Sequence, residues 1–593
     1  MSISRRLFLQ ASSLFAQPAS KTPPNIVLII TDDQGYGDLA CHGNPVIKTP
    51  SLDKLHSESL RLDNYHVSPT CAPTRSALLA GRYTNLVGAW HTIQGRSMLH
   101  KDEVTMADCF KSTGYRTGIF GKWHLGDNYP FRPQDRGFEE VVVHGGGGVW
   151  QTPDHFGNDY FDDTYWHNGK LQKYEGYCTD VFFGAAQQFI TAAAKQSKPF
   201  FCYIAPNAPH GPYWGPDKNR ARYENVKGLK DPDFYGMIEN IDENVGKLRA
   251  FLKTNSLDKN TIFIFTTDNG SAAGFQVHNA GMRGNKGSAY DGGHRVPFFL
   301  HWPQGGFDKG WNLDLLTAHI DILPTLLSMT QTKHPAPHKM HGRSLAPFFK
   351  PNMKTAWPKR VIITDSQRGE DLVKWRQASV MTQQYRLVSP SLGGQPDPKL
   401  ELYDMTKDPG QRTDIAAENA ALVESLKGEY EKWWKVVSAR GNEYARIIIG
   451  DAKENPSRLT AHDWHGEDAV KAWNQRSIRQ APVANGFWAI EARAGKYRFE
   501  LRRWPREVNL PLNAPFEDPA PNREEAKGKA IPITKARIQI GQQNISIDCK
   551  PTDLAAVFEM TLPSGPAELR TWLITADGAE RGAYFVYAER LGR

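Results

Sequence analysis

The chain has 593 residues, enough for several domains at roughly 100–200 residues each. Apolar residues make up 40% and charged residues 23%, which sets disorder aside, and no run approaches the ~20 apolar residues of a membrane span. Lys and Arg total 72 against 64 Asp and Glu; the resulting +8 is thin over this length, so it admits an anionic substrate but not the clustered basic face that nucleic acid requires.

The chain opens with Ser4-Arg5-Arg6-Leu7-Phe8-Leu9-Gln10, an arginine pair before a short apolar stretch. This reads as a bacterial twin-arginine export signal within residues 1–23, implying a periplasmic or secreted protein; were the signal not functional, the segment would be an N-terminal arm of a cytoplasmic one. Next come short apolar runs ended by turn-formers: Asn25–Ile30 before Thr31-Asp32-Asp33-Gln34-Gly35, Thr117–Phe120 before Gly121-Lys122-Trp123-His124, Pro199–Ile204 before Ala205–His210, and Thr261–Thr267 before Asp268-Asn269-Gly270. These are marks of buried parallel strands. Helical spacing over Thr179–Ala194 and Asp233–Leu252 separates them, so residues 24–350 read as a doubly wound, mostly parallel α/β sheet. Ligands of such sheets bind beyond the carboxyl ends of the strands, where Asp32, Asp33, Lys122, His124, His210, Asp268 and Asn269 fall.

Residues 351–450 read as a smaller α+β subdomain, with a strand and turn at Glu401–Asp404 and a helix over Ala416–Val436. From 451 to 593 the period changes to two: Tyr497, Phe499 and Leu501 alternate with polar residues, as do Ile538 and Ile540, Ile545 and Ile547, and Ala583, Phe585 and Tyr587. This predicts an accessory β-sandwich-like domain, with Pro515–Lys529 as a surface loop. The six cysteines, Cys41, Cys71, Cys109, Cys178, Cys202 and Cys549, contain no CxxC pair, which argues against a metal–thiolate site or a disulfide-dense scaffold and leaves one or two disulfides open.

In Ser68–Arg82, Pro73 suits the first position of a helix and Gly81 its stop. Cys71 then lies at a helix N-terminus, where free N–H groups and the dipole favour anions, and Arg75 follows one turn on, able to point back toward it. Asp32, Asp33, Asp268 and Asn269 supply oxygen ligands for a hard divalent cation. Lys122 and His124, two apart, share a face if the chain is extended there.

The pentapeptide Cys71-Ala72-Pro73-Thr74-Arg75 matches the Cys-x-Pro-x-Arg signature of the formylglycine-dependent sulfatases, of the alkaline phosphatase-like superfamily, and Leu79-Ala80-Gly81-Arg82 continues the match. Pro24–Asp38, Gly121–Gly126, Pro206–Pro212, Thr267–Gly270 and Asn285–Gly293 resemble that family's further motifs in order, so the likeness spans about residues 24–440. Asp291 departs from the usual Glu of the last one. The resemblance implies that Cys71 is oxidised to formylglycine by a maturation enzyme, that its hydrate is the nucleophile, and that Asp32, Asp33, Cys71, Asp268 and Asn269 hold calcium, with magnesium fitting nearly as well. It further implies that Arg75 and Lys122 hold the diol and sulfate, that His124 is the base, and that His210 and Lys286 serve the leaving alcohol.

The expected reaction is hydrolysis of a sulfate ester. An aromatic, glycine-rich insertion (Gly145–Gly148, Trp150, His155, Phe156, Tyr160, Phe161, Tyr165, Trp166) and Phe487, Trp488 and Trp504 suit sugar stacking or a private core, so a sulfated carbohydrate leads and a small aryl or alkyl sulfate follows. A phosphodiester or phosphonate hydrolase and a non-enzymatic binder of sulfated glycans are the alternatives. No nucleic acid or membrane span is expected, and the oligomeric state is left open.

Overall fold

The computed structural model describes residues 22–335, 340–349, 357–517 and 527–592. The N-terminal arginine pair and the middle of Pro515–Lys529 lie outside the described residues.

A ten-stranded sheet runs in the order Trp311–Leu313, Leu60–Leu62, Phe298–His301, Thr261–Thr267, Asn25–Thr31, Phe200–Ala205, Arg116–Gly121, Glu140–Val143, Thr164–His167, Lys170–Lys173. The strands from Thr261–Thr267 to Glu140–Val143 are parallel, and the four expected strands are all among them. Phe298–His301 and Thr164–His167 run antiparallel to this block, while Leu60–Leu62, Trp311–Leu313 and Lys170–Lys173 run with it, so the sheet is mostly parallel, as expected, with two reversed strands near its flanks. Its centre is apolar on both faces because alternate residues point opposite ways. Ile26, Leu28 and Ile30 pack with Leu78, Leu79, Phe110 and Leu323, while Val27 and Ile29 pack with Phe182, Ile190, Met237 and Ile241 of the helices Cys178–Lys195 and Pro232–Thr254. Each such buried side chain is worth about 1.5–3 kcal/mol.

A four-stranded antiparallel sheet, Ile362–Asp365 to Glu401–Asp404, follows. It is covered by Leu426, Tyr430, Trp433 and Val437 of the helix Ala420–Val437, which starts one turn later than Ala416 because residues Ala417–Asn419 form a 3₁₀ turn. Two further sheets of six and four strands enclose one apolar core of Leu459, Trp488, Tyr497, Phe499, Leu501, Ile538, Leu569 and Phe585. Met98, Phe131 and Phe156 of the α/β region belong to that same core, so the sandwich is docked on the α/β region rather than tethered to it. Trp488 and Trp504 are buried inside it and offer no platform for a sugar. Tyr160, Tyr165 and Phe156 of the aromatic insertion are likewise buried, leaving Trp150 and Trp166 partly open. All six cysteines are free.

Candidate active site

The helix Cys71–Ala80 is buried along its whole length and stops at Gly81, whose φ of 63° is left-handed and whose N–H closes on Ala77 O. Thr70, extended, is the N-cap, so Cys71 is the first helical residue and Pro73 the third, two positions later than the spacing predicts. In this first turn Pro73 has no N–H and Thr74 N–H already donates to Thr70 O, so the N–H groups of Cys71 and Ala72 lack intrahelical partners.

Three loops converge on it. Asp32 and Asp33 follow Asn25–Thr31, and Asp268 and Asn269 follow the neighbouring Thr261–Thr267. Asp33 N–H donates to Asp268 Oδ1 at 3.1 Å, and Asn269 Nδ2 to Asp33 Oδ1 at 2.9 Å. Gly287 N–H donates to Pro69 O at 2.9 Å, which sets the lysine loop beside Cys71. Each cation meets a carboxylate: Lys122 Nζ lies 2.6 Å from Asp32 Oδ2, Lys286 Nζ 2.6 Å from Asp33 Oδ2, and Arg75 Nη2 2.8 Å from Asp268 Oδ2. The Arg75 guanidinium is thus spent on Asp268 and Lys122 O rather than pointing back at the thiol. Cys71 Sγ lies 3.9 Å from Asp33 Oδ1, and His210 Nε2 3.9 Å from Asp33 Oδ2.

His124 is reached differently. Its φ of 60° is left-handed, so Lys122 and His124 do not alternate along an extended chain. The turn swings the imidazole so that Nε2–H donates to Thr92 O at 2.8 Å, leaving Nδ1 buried without a partner. A Cβ at Gly147 would collide with this ring, and one at Gly148 would lie 3.2 Å from His210 Nδ1. The glycine run is therefore the close-fitting wall of both histidines.

Both supporting loops are held from the sandwich side. Gln94 N–H donates to His462 O at 3.0 Å, Gln94 Nε2 to Gly466 O at 3.1 Å, and Arg96 Nη1 to Glu443 O at 2.7 Å. Thr152 N–H donates to Trp473 O, Gln475 N–H to Trp150 O, and His462 N–H to Thr152 Oγ1. The His462 ring itself lies 6.2 Å from that of His124. Sequence reading missed Thr92 and His462, and read Gly147 only as part of a glycine-rich insertion for sugar stacking; Thr92 and Gly147 act through a carbonyl and a missing side chain, and only the buried histidine carried a residue-type signal.

The electrostatics fit a hard cation. Asp32, Asp33, Cys71 and Asp268 offer ligand atoms within 4.8 Å of one another, and the buried Asp32 Oδ1 and Asn269 Oδ1 have no hydrogen-bond partner. Burial, then the neighbouring Asp32 carboxylate, pushes Asp268 up to about 7 against Arg75 and Lys122, a crowding that a bound cation relieves. Burial would raise Asp33 too, but Lys286, His210 and Lys122 hold it well below the usual range. Burial opposes the charge on Lys286, yet Asp33 keeps the ammonium protonated well above its ordinary range. Burial, aided by Lys122, pushes His124 far down, and burial brings His210 to about 3 despite Asp33, so both rings are neutral at pH 7. Asp291 sits outside this constellation: it pairs with Arg386 at 3.1 Å and ties the lysine loop to the four-stranded sheet.

The model of the Sulfatase family matches residues 24–332, and that of the N-sulphoglucosamine sulphohydrolase C-terminal region matches 285–434. Arylsulfatase J of Mus musculus is 31% identical over 329 residues, 53% of this chain and 54% of its own, so the chain spans about half of that relative. N-acetylgalactosamine-6-sulfatase of Mus musculus is 30% identical over 58% of this chain and 69% of its own. Among solved structures, Ps i-CgsB superposes with a TM-score of 0.63 at 28% identity over 72% of this chain and 95% of its own; it is also solved in complex with k-i-k-neocarrahexaose.

Proposed function

The chain belongs to the sulfatase family, and from that premise we propose that it hydrolyses a sulfate ester with a nucleophile made from Cys71. The observation that carries this is the placement of Cys71 at the start of a buried helix, ringed by Lys122, Lys286 and Arg75 and by the unpartnered oxygens of Asp32 and Asn269. As a thiol Cys71 is a poor nucleophile here, since burial, then Asp32, pushes it up to about 12. Oxidation to formylglycine by a maturation enzyme replaces it with a hydrated aldehyde whose oxygen attacks sulfur. Asp32, Asp33, Asp268 and Asn269 would hold the calcium, with magnesium as the second choice; when bound, it neutralises charge on the sulfate and the attacking group.

The chain's own residues do the rest. Lys122 and Lys286 stand where negative charge gathers on the sulfate and on the bridging oxygen as the S–O bond breaks. His124, neutral with a free Nδ1, accepts a proton from the nucleophile. Lys286, held protonated, carries the charge opposite the departing alcohol, while His210 orients it. A sulfated carbohydrate is the favoured substrate: half-buried Trp150 and Trp214 pack 4.4 Å apart beside Tyr160, whose hydroxyl donates to His210 O, giving a sugar an aromatic wall at the leaving-group side. Relatives whose names specify a sulfated sugar support this reading. The arginine pair supports a periplasmic or secreted location.

Kinetics on matched aryl sulfate, phosphodiester and phosphonate esters, with protein from a host that converts Cys71, test the proposal. Sulfate turnover well above the others is expected. Faster phosphodiester or phosphonate cleavage moves the chain to that class, and binding of sulfated glycan without turnover of any ester makes it a binder.

A further inference from the structure

A second cluster of metal-ligating side chains follows the Asp32–Gly37 loop in the chain and uses none of the residues of the catalytic centre. The loop residues Cys41 and His42 meet His56 of the helix Pro50–Glu58, and their ligand atoms lie within 4.8 Å of one another. All three are partly buried, reachable by solvent yet fixed by their surroundings. We propose that Cys41, His42 and His56 form a second metal site that takes a borderline divalent ion of the zinc class, independent of the oxygen-lined site at Cys71.

The donor set selects the ion. One thiolate and two imidazoles suit zinc and its neighbours, whereas calcium and magnesium require oxygens. The spacing rules that look for CxxC pairs miss it because its ligands come from a loop and a helix fifteen positions apart at most, with one cysteine only. Asp53 lies one turn before His56 on the same helix, accepts Cys41 N–H at 2.9 Å, and borders the thiol closely enough to accept its hydrogen. Asp53 is not one of the three mutually close ligand groups, so it serves as the first acceptor of the thiol proton, which then passes to solvent; binding thus releases one proton and takes up the ion, with solvent water filling the fourth position.

The second imidazole nitrogen of a metal-bound histidine is ordinarily committed to a carbonyl or carboxylate, which fixes the tautomer. His42 already meets that requirement: Nδ1–H donates to Tyr36 O at 2.7 Å, leaving Nε2 with its lone pair, and the ring is stacked on Tyr36 at 3.8 Å. His56 lies edge-on to both His42 and Phe299 at 5.5 and 5.1 Å, which limits its rotation. Burial keeps both rings neutral at pH 7, the form that ligates. By contrast, the cluster of His66, Asp291 and His294 already holds the guanidinium of Arg386 and has no room for a cation.

Because the ion joins the loop leaving Asp32–Gly37 to the helix beneath it, it stabilises the frame of the catalytic loop without touching substrate. The test uses the full chain, stripped with chelator and reloaded with calcium plus either Zn²⁺ or Co²⁺. One equivalent of zinc retained through dialysis is expected, together with a thiolate-to-cobalt charge-transfer band in the Co²⁺ form. Both should persist in Cys71→Ser, which removes the other thiol found in a metal-ligand cluster among the described residues, and both should vanish in Cys41→Ser and in His56→Gln. Absence of zinc and of the band in the unaltered chain overturns the proposal. So does a band lost in Cys71→Ser and kept in His56→Gln, which places the ion at the catalytic centre. Should Cys41→Ser fail to fold, His56→Gln, which keeps the side chain's size and polarity at its partly buried position, decides alone.

Discussion

The sheet edge around Cys71 and the C-terminal sandwich spend their buried volume in opposite ways. At the sheet edge Asp32, Asp33, Arg75, Lys122 and Asp268 are at most 2% exposed, and the charges are packed against one another. Burying them is costly, and two oxygens remain without partners. The sandwich core is built mainly of apolar side chains, with alternate residues turned to solvent; it buries Arg479, Arg503 and the Glu500–Arg502 pair, while pairs such as Lys496–Glu559 lie on the outside. A site made of crowded charge cannot stabilise its own geometry, so it needs rigid neighbours; the sandwich, which lies beyond the residues matched by either family model, supplies part of that rigidity through Thr92–Arg96 and Trp150–Thr152.

This division of labour can be broken in steps. Lys122→Ala removes a charge aimed at the reacting group, and kcat/KM should fall about 10³-fold in steady-state assays. Gly147→Ala places a methyl against the His124 ring, and displacement of that ring should lower kcat about 10²-fold with the melting transition retained. Gly95→Ala acts from further away. Its φ of 62° is left-handed and its Cβ would strike His465, so it should loosen the carbonyl of Thr92 and lower kcat roughly tenfold with KM little changed. Gly578→Ala is the control: its φ is 82° but nothing lies within 4 Å, so it should cost about 1–2 kcal/mol in denaturant melts and leave kcat alone. Equal losses of kcat in Gly95→Ala and Gly578→Ala would mean that the clamp does no positioning.

Acid sharpens the same contrast without mutation. Burial holds His91, His144 and His319, all in the α/β body, down to about 3, whereas the unfolded chain takes up protons from about 6.5. Between these values the unfolded state binds more protons, so their contribution is fully present above pH 6.5 and is lost as pH falls toward 3. Hydrogen exchange followed from pH 7 to 4 should show the central parallel strands losing protection before Tyr497–Leu501 and Ile538–Ile540 of the sandwich. The reverse order would contradict it.

The parts of the molecule that could be read from sequence are those where side-chain type and local spacing carry the information. Asn25–Thr31 and Thr261–Thr267 declare themselves as apolar runs ended by Asp and Asn, and parallel pairing then brings Asp32 and Asp268 together. The antiparallel strands Phe298–His301 and Thr164–His167 did not, because four residues each leave too little periodicity. Nor did the route to His124: its left-handed turn belongs to a non-glycine residue, and its partner is the backbone of Thr92, held in turn by a residue hundreds of positions away. Cys41, His42 and His56 escaped for a related reason, since a helix and a loop join them only in three dimensions.

The most direct test is peptide mass spectrometry across Cys71, on protein from its native host or from one that carries the maturation enzyme. A mass matching the aldehyde or its hydrate is the expected result and fixes the nucleophile at the start of the buried helix. Plain cysteine under those conditions would contradict the hydrolase reading and leave a charged pocket that binds a sulfated glycan without cleaving it.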